Sequence, residues 1–284
     1  MTELITLNKL LPQTTENKVL NLAGHMLKRE QADCPVTHRF GPNIYIREVS
    51  IPAGTFAIGH RQKTEHVNIL VKGRITFVNE DGSKTELVAP HTYVAKPGRK
   101  VAYALEDVVW QNVYSTPETD VEKLEAMFLD KGVIWEEHLK AQTLLLSIDQ
   151  AADKQDFNDA ITELGYDADT VRKMSENLDD QIPFPHGSYK VMVSDSKIEG
   201  KGLFATGNIA AGEVIAPGRI DNKRTPAGRF TNHAKNPNAT VVLRDNGDID
   251  LIARRAIDGC RGGNLGEEIT IDYRESVRLS LRRN

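Results

Sequence analysis

The chain has 284 residues, about twice the usual length of a single domain, so its length predicts two domains that each bury a core. Hydrophobic residues make up 39%, charged residues 27%, and the formal net charge is -4, which excludes a chain that is mostly disordered. Only two cysteines occur, Cys34 and Cys260. They exclude a disulfide scaffold and a cysteine-rich zinc cluster, and they indicate a reducing compartment.

The N-terminal sequence MTELITLNKLLPQ is not typical of an export signal or a membrane anchor. Glu3 is acidic, the segment has no sustained apolar core, and no part of the chain approaches the roughly 18 apolar residues of a membrane span. We therefore expect a cytoplasmic protein with no membrane partner.

Residues 1–34 are predicted to form an N-terminal segment with one short helix near residues 15–31. Over residues 35–115 the pattern changes to short strands separated by turns, and Asp81-Gly82 is typical of a hairpin. Residues 67–71 and 74–78 are expected to pair with each other across Gly73. Strands that recur every 8 to 12 residues or so favour a β-sandwich or barrel.

Residues 116–186 are predicted to be an acidic helical connector, since residues 116–182 contain 17 acidic and 6 basic side chains. Apolar residues recur at helical spacing in four segments: 120–130, 135–150, 156–164 and 167–178. Thr119 or Asp120 is a candidate N-cap for the first segment and Asp167 for the last. The proline-containing residues 183–187 end the region as a rigid linker.

Residues 187–284 are predicted to form a third region of short strands with very little helix, beginning with an alternating strand over residues 189–194. This pattern favours a folded sheet structure over a βαβ unit. The region has 16 basic and 12 acidic residues, and the four arginines that follow Tyr273 favour a solvated face over nucleic-acid binding.

Three segments of the last region carry chemistry-bearing residues, and each has a structural alternative. The glycines of Gly200-Lys-Gly202 permit close backbone approach to a ligand, or they make a β-bulge. The Asn and His side chains of residues 229–238 bind a ligand, or they satisfy buried backbone groups in a turn. Tyr273, at the end of a strand-like segment, is either a residue that takes part in a reaction or a packed side chain whose hydroxyl is hydrogen-bonded.

Together and in this order, these segments resemble the SET domain of protein lysine methyltransferases over about residues 188–274. The four matching stretches are the opening glycine motif at 196–205, the following strand at 209–215, the Asn-His motif at 229–238 and the closing GEExTxDY motif at 266–273. The resemblance implies that a compact SET-type β-fold forms and that a knot-like crossing brings the closing motif beside the Asn-His motif.

The resemblance also implies S-adenosylmethionine as cofactor and a protein that presents a lysine as substrate. Six residues match the positions that hold the cofactor in the family: Gly200, Lys201, Gly202, Leu203, Asn232 and His233. The glycine segment is expected to contact the cofactor chiefly through its backbone. Tyr273 matches the catalytic tyrosine, whose task is to align an uncharged amine with the methyl group, since methyl transfer from a sulfonium depends mostly on positioning.

Two departures from the family pattern bear on the substrate side. The segment formed by residues 220–228 is very short, whereas many histone-directed members have a larger insertion at this place. No cysteine-rich segment follows Tyr273. The lysine channel must therefore be completed by the C-terminal tail, by the helical connector or by another subunit of a homo-oligomer.

The front half resembles a cupin over about residues 36–114. The pattern His60-x-Gln62-x3-His66-x6-Gly73 is similar to the first cupin motif, with Gln62 where a second histidine is usual, and Ala102 stands about where the second motif has its histidine. Two histidines, even with the nearby Glu65, make only a marginal site for a first-row metal. We therefore predict a cupin-like barrel and commit no residue to a metal.

The expected architecture is mostly β with an α-helical connector: a cupin-like β-barrel, then helices, then a compact SET-type fold. This combination resembles proteins of tailed bacteriophages and some bacteria, which removes histone tails as the default substrate. The leading hypothesis is a protein lysine N-methyltransferase. The alternatives are a non-enzymatic virion or assembly protein that uses both folds for protein contacts, and a metal-dependent cupin enzyme.

Overall fold

The computed structural model describes residues 15–78, 83–149 and 151–281, and strands predominate over helices in these ranges, which confirms the mostly β prediction. The strands are β1 (Val36–Gly41), β2 (Ile44–Ile51), β3 (Phe56–Ile58), β4 (Arg61–Gln62), β5 (His66–Lys72), β6 (Arg74–Val78), β7 (Lys84–Val88), β8 (His91–Ala95), β9 (Val101–Ala104), β10 (Val108–Ser115), β11 (Leu129–Asp130), β12 (Gly187–Tyr189), β13 (Val191–Asp195), β14 (Lys201–Ala205), β15 (Val214–Ile220), β16 (Lys223–Arg224), β17 (Asn232–His233), β18 (Ala239–Leu243), β19 (Ile249–Ala253) and β20 (Glu268–Ile271). The α-helices are α1 (Thr15–Met26), α2 (Val121–Phe128), α3 (Val133–Asp149), α4 (Ala151–Glu163), α5 (Ala168–Glu176), α6 (Pro226–Phe230) and α7 (Tyr273–Leu281).

Two sheets form most of the front half. The larger has the strand order β12-β1-β2-β10-β5-β8, the smaller has the order β3-β9-β6-β7, and β4 pairs separately with β11. Along β1 and β10 every second side chain is buried, because successive side chains of a strand point to opposite faces. The predicted strands are therefore present, but as open sheets and not as one closed barrel.

At Gly73 the chain passes from the larger sheet to the smaller one. Its φ is +85°, and a Cβ there would lie 2.2 Å from the carbonyl oxygen of Asp107. Only glycine fits both conditions. The prediction that residues 67–71 and 74–78 pair with each other is therefore wrong, because β5 and β6 belong to different sheets. The predicted Asp81-Gly82 turn lies outside the described residues. The strands on either side of it, β6 and β7, pair antiparallel, with Val78 opposite Lys84.

Helices form most of the connector, as predicted, although the short strand β11 follows the first of them. The Asp120 carboxylate accepts hydrogen bonds from the backbone N–H groups of Glu122 and Lys123 at the start of α2, and Asp167 caps α5 by accepting from Thr170. Helices α3 and α4 fill the interval between them. Both aspartate N-caps are therefore confirmed, with Asp120 and not Thr119 as the first.

The last region forms two four-stranded sheets, with orders β13-β14-β20-β17 and β16-β15-β19-β18. The single strand predicted over residues 189–194 is wrong, because the chain divides at Lys190. Its first part, β12, pairs with β1 of the front sheet, whereas β13 pairs with β14. The boundaries predicted at residues 35, 116 and 187 stay predictions.

Helix α2 lies between the front and last regions and joins their interiors. Its Leu124 and Phe128 pack in one continuous hydrophobic cluster with Tyr45 of the front sheet and with Leu203 and Ile269 of the last region. Burial of such side chains contributes about 1.5–3 kcal/mol each. The two β-rich regions are therefore held together by a shared core and not by a linker alone.

Within the ranges that the structure describes, no helix combines the length and the apolar character needed to cross a bilayer.

His38 of β1 makes the stability of this core dependent on pH. Its ring is fully buried, and its Nδ1 lies 2.8 Å from the Tyr45 hydroxyl. Burial lowers the pKa of His38 to about 3, against a weaker opposing effect of Glu125, so the folded protein holds it neutral. The unfolded chain binds a proton there below about pH 6.5, so acid favours unfolding.

We expect this proton to cost about 1.4 kcal/mol of stability per pH unit, or about 2 kcal/mol between pH 6.0 and pH 4.5. Urea unfolding at both pH values measures it, with His38→Gln as the comparison, since glutamine keeps a partner for the Tyr45 hydroxyl without titrating. The wild type should lose about 2 kcal/mol more than the variant over this interval. Equal losses would show that another group causes the acid sensitivity.

Candidate functional site

The sheet that contains β14, β17 and β20 brings the three predicted site segments together. The glycine segment leads into β14, which pairs with β20 through Leu203 and Ile269. On the other side of β20 runs β17, the Asn-His segment, in parallel register, with Asn232 opposite Thr270. Tyr273 follows β20 and begins α7. Residues that are about 30 to 70 positions apart in the chain therefore lie on or directly beside neighbouring strands of this sheet.

Asn232 connects all of these segments through its side-chain amide. The group is buried, and its Nδ2 donates to the backbone carbonyls of Glu199 and Lys201, both at 3.1 Å, and to the Glu268 carboxylate at 2.9 Å. The Ser196 hydroxyl donates to the same carboxylate oxygen at 2.8 Å. Three oxygens from two motifs thus converge on one amide group.

The glycine segment places its backbone, and not its side chains, next to Asn232. A Cβ on Gly202 would lie 2.3 Å from the Glu268 carboxylate oxygen, so a side chain at this position would displace the Asn232 partner. Gly200 has φ +51° and no atom within 4 Å of its Cβ position, so its outer side is open. Lys201 directs its Nζ away, to Glu122 of α2 at 2.7 Å.

Leu203 does not lie at the surface of this site. Its side chain is fully buried in the core that the two regions share. Its side chain is therefore not available to a ligand and stabilises the strand that carries the glycine segment, which pairs with a neighbour on each side.

His233 is also fully buried, and its ring nitrogens have different partners. Its Nδ1 accepts a hydrogen bond from the backbone N–H of Tyr273 at 3.0 Å, so Nε2 carries the proton and donates to the Asp156 carboxylate at 2.7 Å. Arg274 also binds Asp156, at 3.3 Å. Burial raises the pKa of Asp156, but hydrogen bonds from His233 and Arg274 outweigh it and hold the pKa below its ordinary value.

Tyr273 lies between the Asn-His segment and helix α4. Its hydroxyl donates to the carbonyl oxygen of Thr231 at 3.2 Å, and its ring meets the Phe157 ring edge-on, with 6.0 Å between centroids. Burial, with smaller effects of the Glu268 and Glu199 carboxylates, raises the pKa of Tyr273 above its ordinary value. The hydroxyl therefore stays protonated at neutral pH and orients hydrogen-bonded groups instead of acting as a base.

Several residues of this arrangement were not singled out from the sequence: Ser196, Glu199, Asp156, Phe157, Glu268 and Arg274. Glu268 lies inside the closing motif, and its alternation with Ile269 was the available signal that it faces the glycines. Asp156 and Phe157 carried no signal, since they lie on an acidic helix and Asp156 is 77 positions from His233.

The cluster around Asn232 has the chemistry of a cation-binding site. The carbonyl oxygens of Glu199 and Lys201 each have a second lone pair, and the Glu268 carboxylate adds a negative charge. An ammonium or sulfonium group beside these oxygens would be stabilised by charge-assisted hydrogen bonds and by Coulomb attraction. The open side of Gly200 leaves room for a ligand to approach the backbone.

The front half shows no comparable set of metal ligands. The His66 Nδ1 donates to the Thr64 carbonyl at 3.0 Å, and the Gln62 amide oxygen accepts from the Tyr114 hydroxyl at 2.6 Å. The His60 ring contacts Trp135 edge-on at 4.5 Å, and burial lowers its pKa to about 3. Over the residues that the structure describes, no three His, Cys, Asp or Glu side chains come together as metal ligands.

Comparison with known proteins identifies similarity in structure only. No protein-family model matches the chain, and no curated protein sequence matches it. A cupin-superfamily protein from Desulfitobacterium hafniense is 9% identical, with 33% of this chain and 86% of that chain covered and a TM-score of 0.25.

Two further neighbours are cupin-domain proteins. One, from Bordetella pertussis, is 14% identical over 31% of this chain and 98% of its own length, with a TM-score of 0.26. The other, from Shewanella frigidimarina, is 17% identical over 36% and 98%, with a TM-score of 0.25. The structural similarity to cupin-superfamily proteins thus covers about a third of this chain.

Proposed function

We propose that the protein is a protein lysine N-methyltransferase of SET type that uses S-adenosylmethionine. The observation that carries the proposal is the Asn232 amide, which joins the carbonyls of the glycine segment to the Glu268 carboxylate and so unites three of the four sequence motifs. The order of those motifs in the sequence adds support. We also propose that the last region has a SET-type fold and that the protein comes from a phage or a bacterium.

The residues present fit the cofactor by the chemistry of their donor atoms. The carbonyls of Glu199 and Lys201 and the Glu268 carboxylate suit the cofactor's ammonium and sulfonium charges. Gly202 keeps this wall free of side-chain atoms, because a Cβ there would collide with Glu268. When bound, the cofactor supplies an electrophilic methyl group on a sulfonium.

In this proposal, Tyr273 and the Thr231 carbonyl align the acceptor amine. The bound cofactor would supply its methyl group to an uncharged lysine amine that Tyr273 and Thr231 would hold in line, and the methylated ammonium would release its proton to water. The Tyr273 hydroxyl, which stays protonated, directs a hydrogen-bond network at this point and does not take the proton. Positioning of this kind supplies most of the catalysis.

Helix α4 of the connector completes the Tyr273 side of the site. Phe157 and Ile161 pack with Ile198 of the glycine motif and with the Tyr273 ring. This contact supports the connector, among the three options left open by the sequence, as a wall of the proposed lysine channel. The proposed substrate is a protein that presents a lysine, and the proposed location is the cytoplasm, that of the host if a phage encodes the chain.

Isothermal titration with S-adenosylhomocysteine tests the cofactor site, and transfer of a labelled methyl group to lysine-containing protein tests the activity. Micromolar binding with transfer supports the proposal. The absence of binding at high micromolar concentration would contradict it and would favour the non-enzymatic assembly role that the sequence also allowed. Recovery of the chain in stoichiometric amounts from purified particles would favour the same alternative.

Tyr273→Phe is expected to lower methyl transfer at least about tenfold, since alignment of the amine loses one hydrogen bond of about 1.5 kcal/mol in the transition state. Affinity for S-adenosylhomocysteine should stay within about twofold, because the cofactor contacts lie on other residues. Single-turnover transfer measures the first effect and titration the second. Tyr166→Phe, at an exposed position of the connector, is the matched control. Equal transfer by both variants would remove Tyr273 from the proposed mechanism.

A further inference from the structure

The segment that joins α1 to β1 runs beside the loop that joins β19 to β20. The Gln31 side-chain oxygen accepts a hydrogen bond from the backbone N–H of Gly263 at 2.9 Å. A Cβ on Gly262 would lie 3.5 Å from the carbonyl oxygen of Ala32. These contacts match residue 31 with 263 and residue 32 with 262, so the two segments run in opposite directions.

Each of these segments carries one of the two cysteines of the chain, and the same course brings the cysteines together. The Cys260 thiol donates to the Thr206 carbonyl oxygen at 3.0 Å, and the backbone N–H of Val36 donates to the same oxygen at 2.8 Å. That N–H also forms a hydrogen bond to the Cys260 sulfur. Cys34 is two positions before Val36, so the two thiols are neighbours across this contact.

Both cysteines are free thiols and only partly buried. Burial raises the pKa of Cys34 to about 11, with smaller effects of Cys260 and Asp33, and burial also raises the pKa of Cys260. An electrostatic effect of one thiol on the other requires that they lie close together. The thiolate is the reactive form, so the pair reacts slowly at neutral pH and faster in mild alkali.

The backbone on the Cys34 side can adjust to the geometry of a disulfide, which needs Cα atoms roughly 4.4–6.8 Å apart. Residues 31–35 lie outside helices and strands. Cys260 is held more firmly, because a Cβ on the preceding Gly259 would lie 2.8 Å or less from backbone atoms of Gly207 and Asn208. Oxidation would therefore move the N-terminal segment toward a fixed loop.

We propose that Cys34 and Cys260 are a reversible disulfide pair, which small-molecule disulfides such as oxidised glutathione oxidise and thiols reduce. The Cys34 thiolate attacks one sulfur of the oxidant, a mixed disulfide forms, and one glutathione leaves as a thiolate. The Cys260 thiolate then attacks the Cys34 sulfur, the protein disulfide forms, and the second glutathione leaves. Two electrons pass to the oxidant, and the two thiol protons end on the two glutathione molecules.

The bond would tie the start of the front sheet to the loop that leads into the closing motif. It needs neither the proposed cofactor nor methyl transfer, and in a reducing compartment it forms only when the oxidant is in excess. Because it closes a loop that includes most of the chain, it restricts the unfolded state far more than the folded one. The oxidised chain should therefore melt at least about 5 °C above the reduced chain.

Incubation of the full chain with excess oxidised glutathione at about pH 8.5 tests the pair. Mass spectrometry should show a monomer that is lighter by two hydrogen atoms, and a tryptic digest should contain the Cys34 and Cys260 peptides joined. Dithiothreitol should reverse both results. The chain has 2 cysteines, so no other intramolecular disulfide can form. Two free thiols, two glutathione adducts without this link, or disulfide-linked dimers alone would overturn the proposal.

Glutathione redox buffers of graded composition measure the equilibrium of the same reaction, and concentrated urea provides the control. The folded chain should give an effective thiol concentration at least about tenfold above that of the unfolded chain, because only the fold holds the two segments side by side. An equal or lower value for the folded chain would contradict the proposal.

Cys34→Ser is the matched variant for the melting experiment. With one thiol left, it should form no intramolecular link and should melt within about 1 °C of its reduced form after the same treatment. A rise as large as that of the wild type would show that glutathione addition, and not the link, stabilises the chain, which would also overturn the proposal.

Discussion

Replacing Asn232 with alanine is expected to lower the affinity for S-adenosylhomocysteine at least about 100-fold and to destabilise the fold by about 2–4 kcal/mol. The variant removes an amide group that bonds to the Glu199 and Lys201 carbonyls and to Glu268 at once. Each buried acceptor that loses a hydrogen bond costs about 1–3 kcal/mol, and the Glu268 carboxylate would keep the Ser196 hydroxyl but lose its bond to the Asn-His segment. The cofactor wall would then lose its shape as well as a donor.

Titration calorimetry measures the affinity of this variant, and urea unfolding measures its stability. Asn246→Ala is the control, because Asn246 is an exposed turn residue whose amide binds the nearby Asp248. It should bind the cofactor product as the wild type does. If Asn232→Ala also keeps wild-type affinity while it remains folded, the assignment of the cofactor site to this cluster is wrong.

Gly266→Ala is expected to prevent stable folding, with a loss of more than about 4 kcal/mol. A Cβ at this position would lie 2.2 Å from the carbonyl oxygen of Ala205 and 2.8 Å or less from backbone atoms of Gly259 and Cys260. These neighbours are backbone atoms of two separate segments, so no flexible side chain can move aside. The closing motif could then no longer reach the glycine strand.

Thermal and urea unfolding measure this effect, with Gly41→Ala as the control. A Cβ on Gly41 would have no atom within 4 Å, and its φ is not positive, so we expect a change within about 0.5 kcal/mol. Wild-type stability of the Gly266→Ala protein would show that the backbone of residues 205 and 259–260 does not crowd this position.

The strands, the connector helices and their caps were predictable because each depends on local chemistry. The alternation along residues 108–115 and the carboxylates of Asp120 and Asp167 act within a few residues of themselves. The pairing of strands was not predictable in the same way. Whether the chain at Gly73 makes a hairpin or changes sheet depends on the Asp107 carbonyl, 34 positions away.

The candidate site divides along the same line. Gly202, Asn232 and Tyr273 are recognisable because their residue types occur in a fixed order within short motifs. Their partners on the connector, Asp156 and Phe157, are an ordinary acidic and an ordinary apolar residue of a helix, and nothing local distinguishes them. Their contribution depends on how α4 packs against β17.

By itself, the amino-acid sequence determined the mostly β composition, the helical connector and the order of the motifs, since residue type, spacing and caps act over a few positions. Only the tertiary structure decided that α2 joins the two β-rich regions in one core and that β12 extends the front sheet. Contacts of this kind depend on packing between distant segments, and no local pattern encodes them.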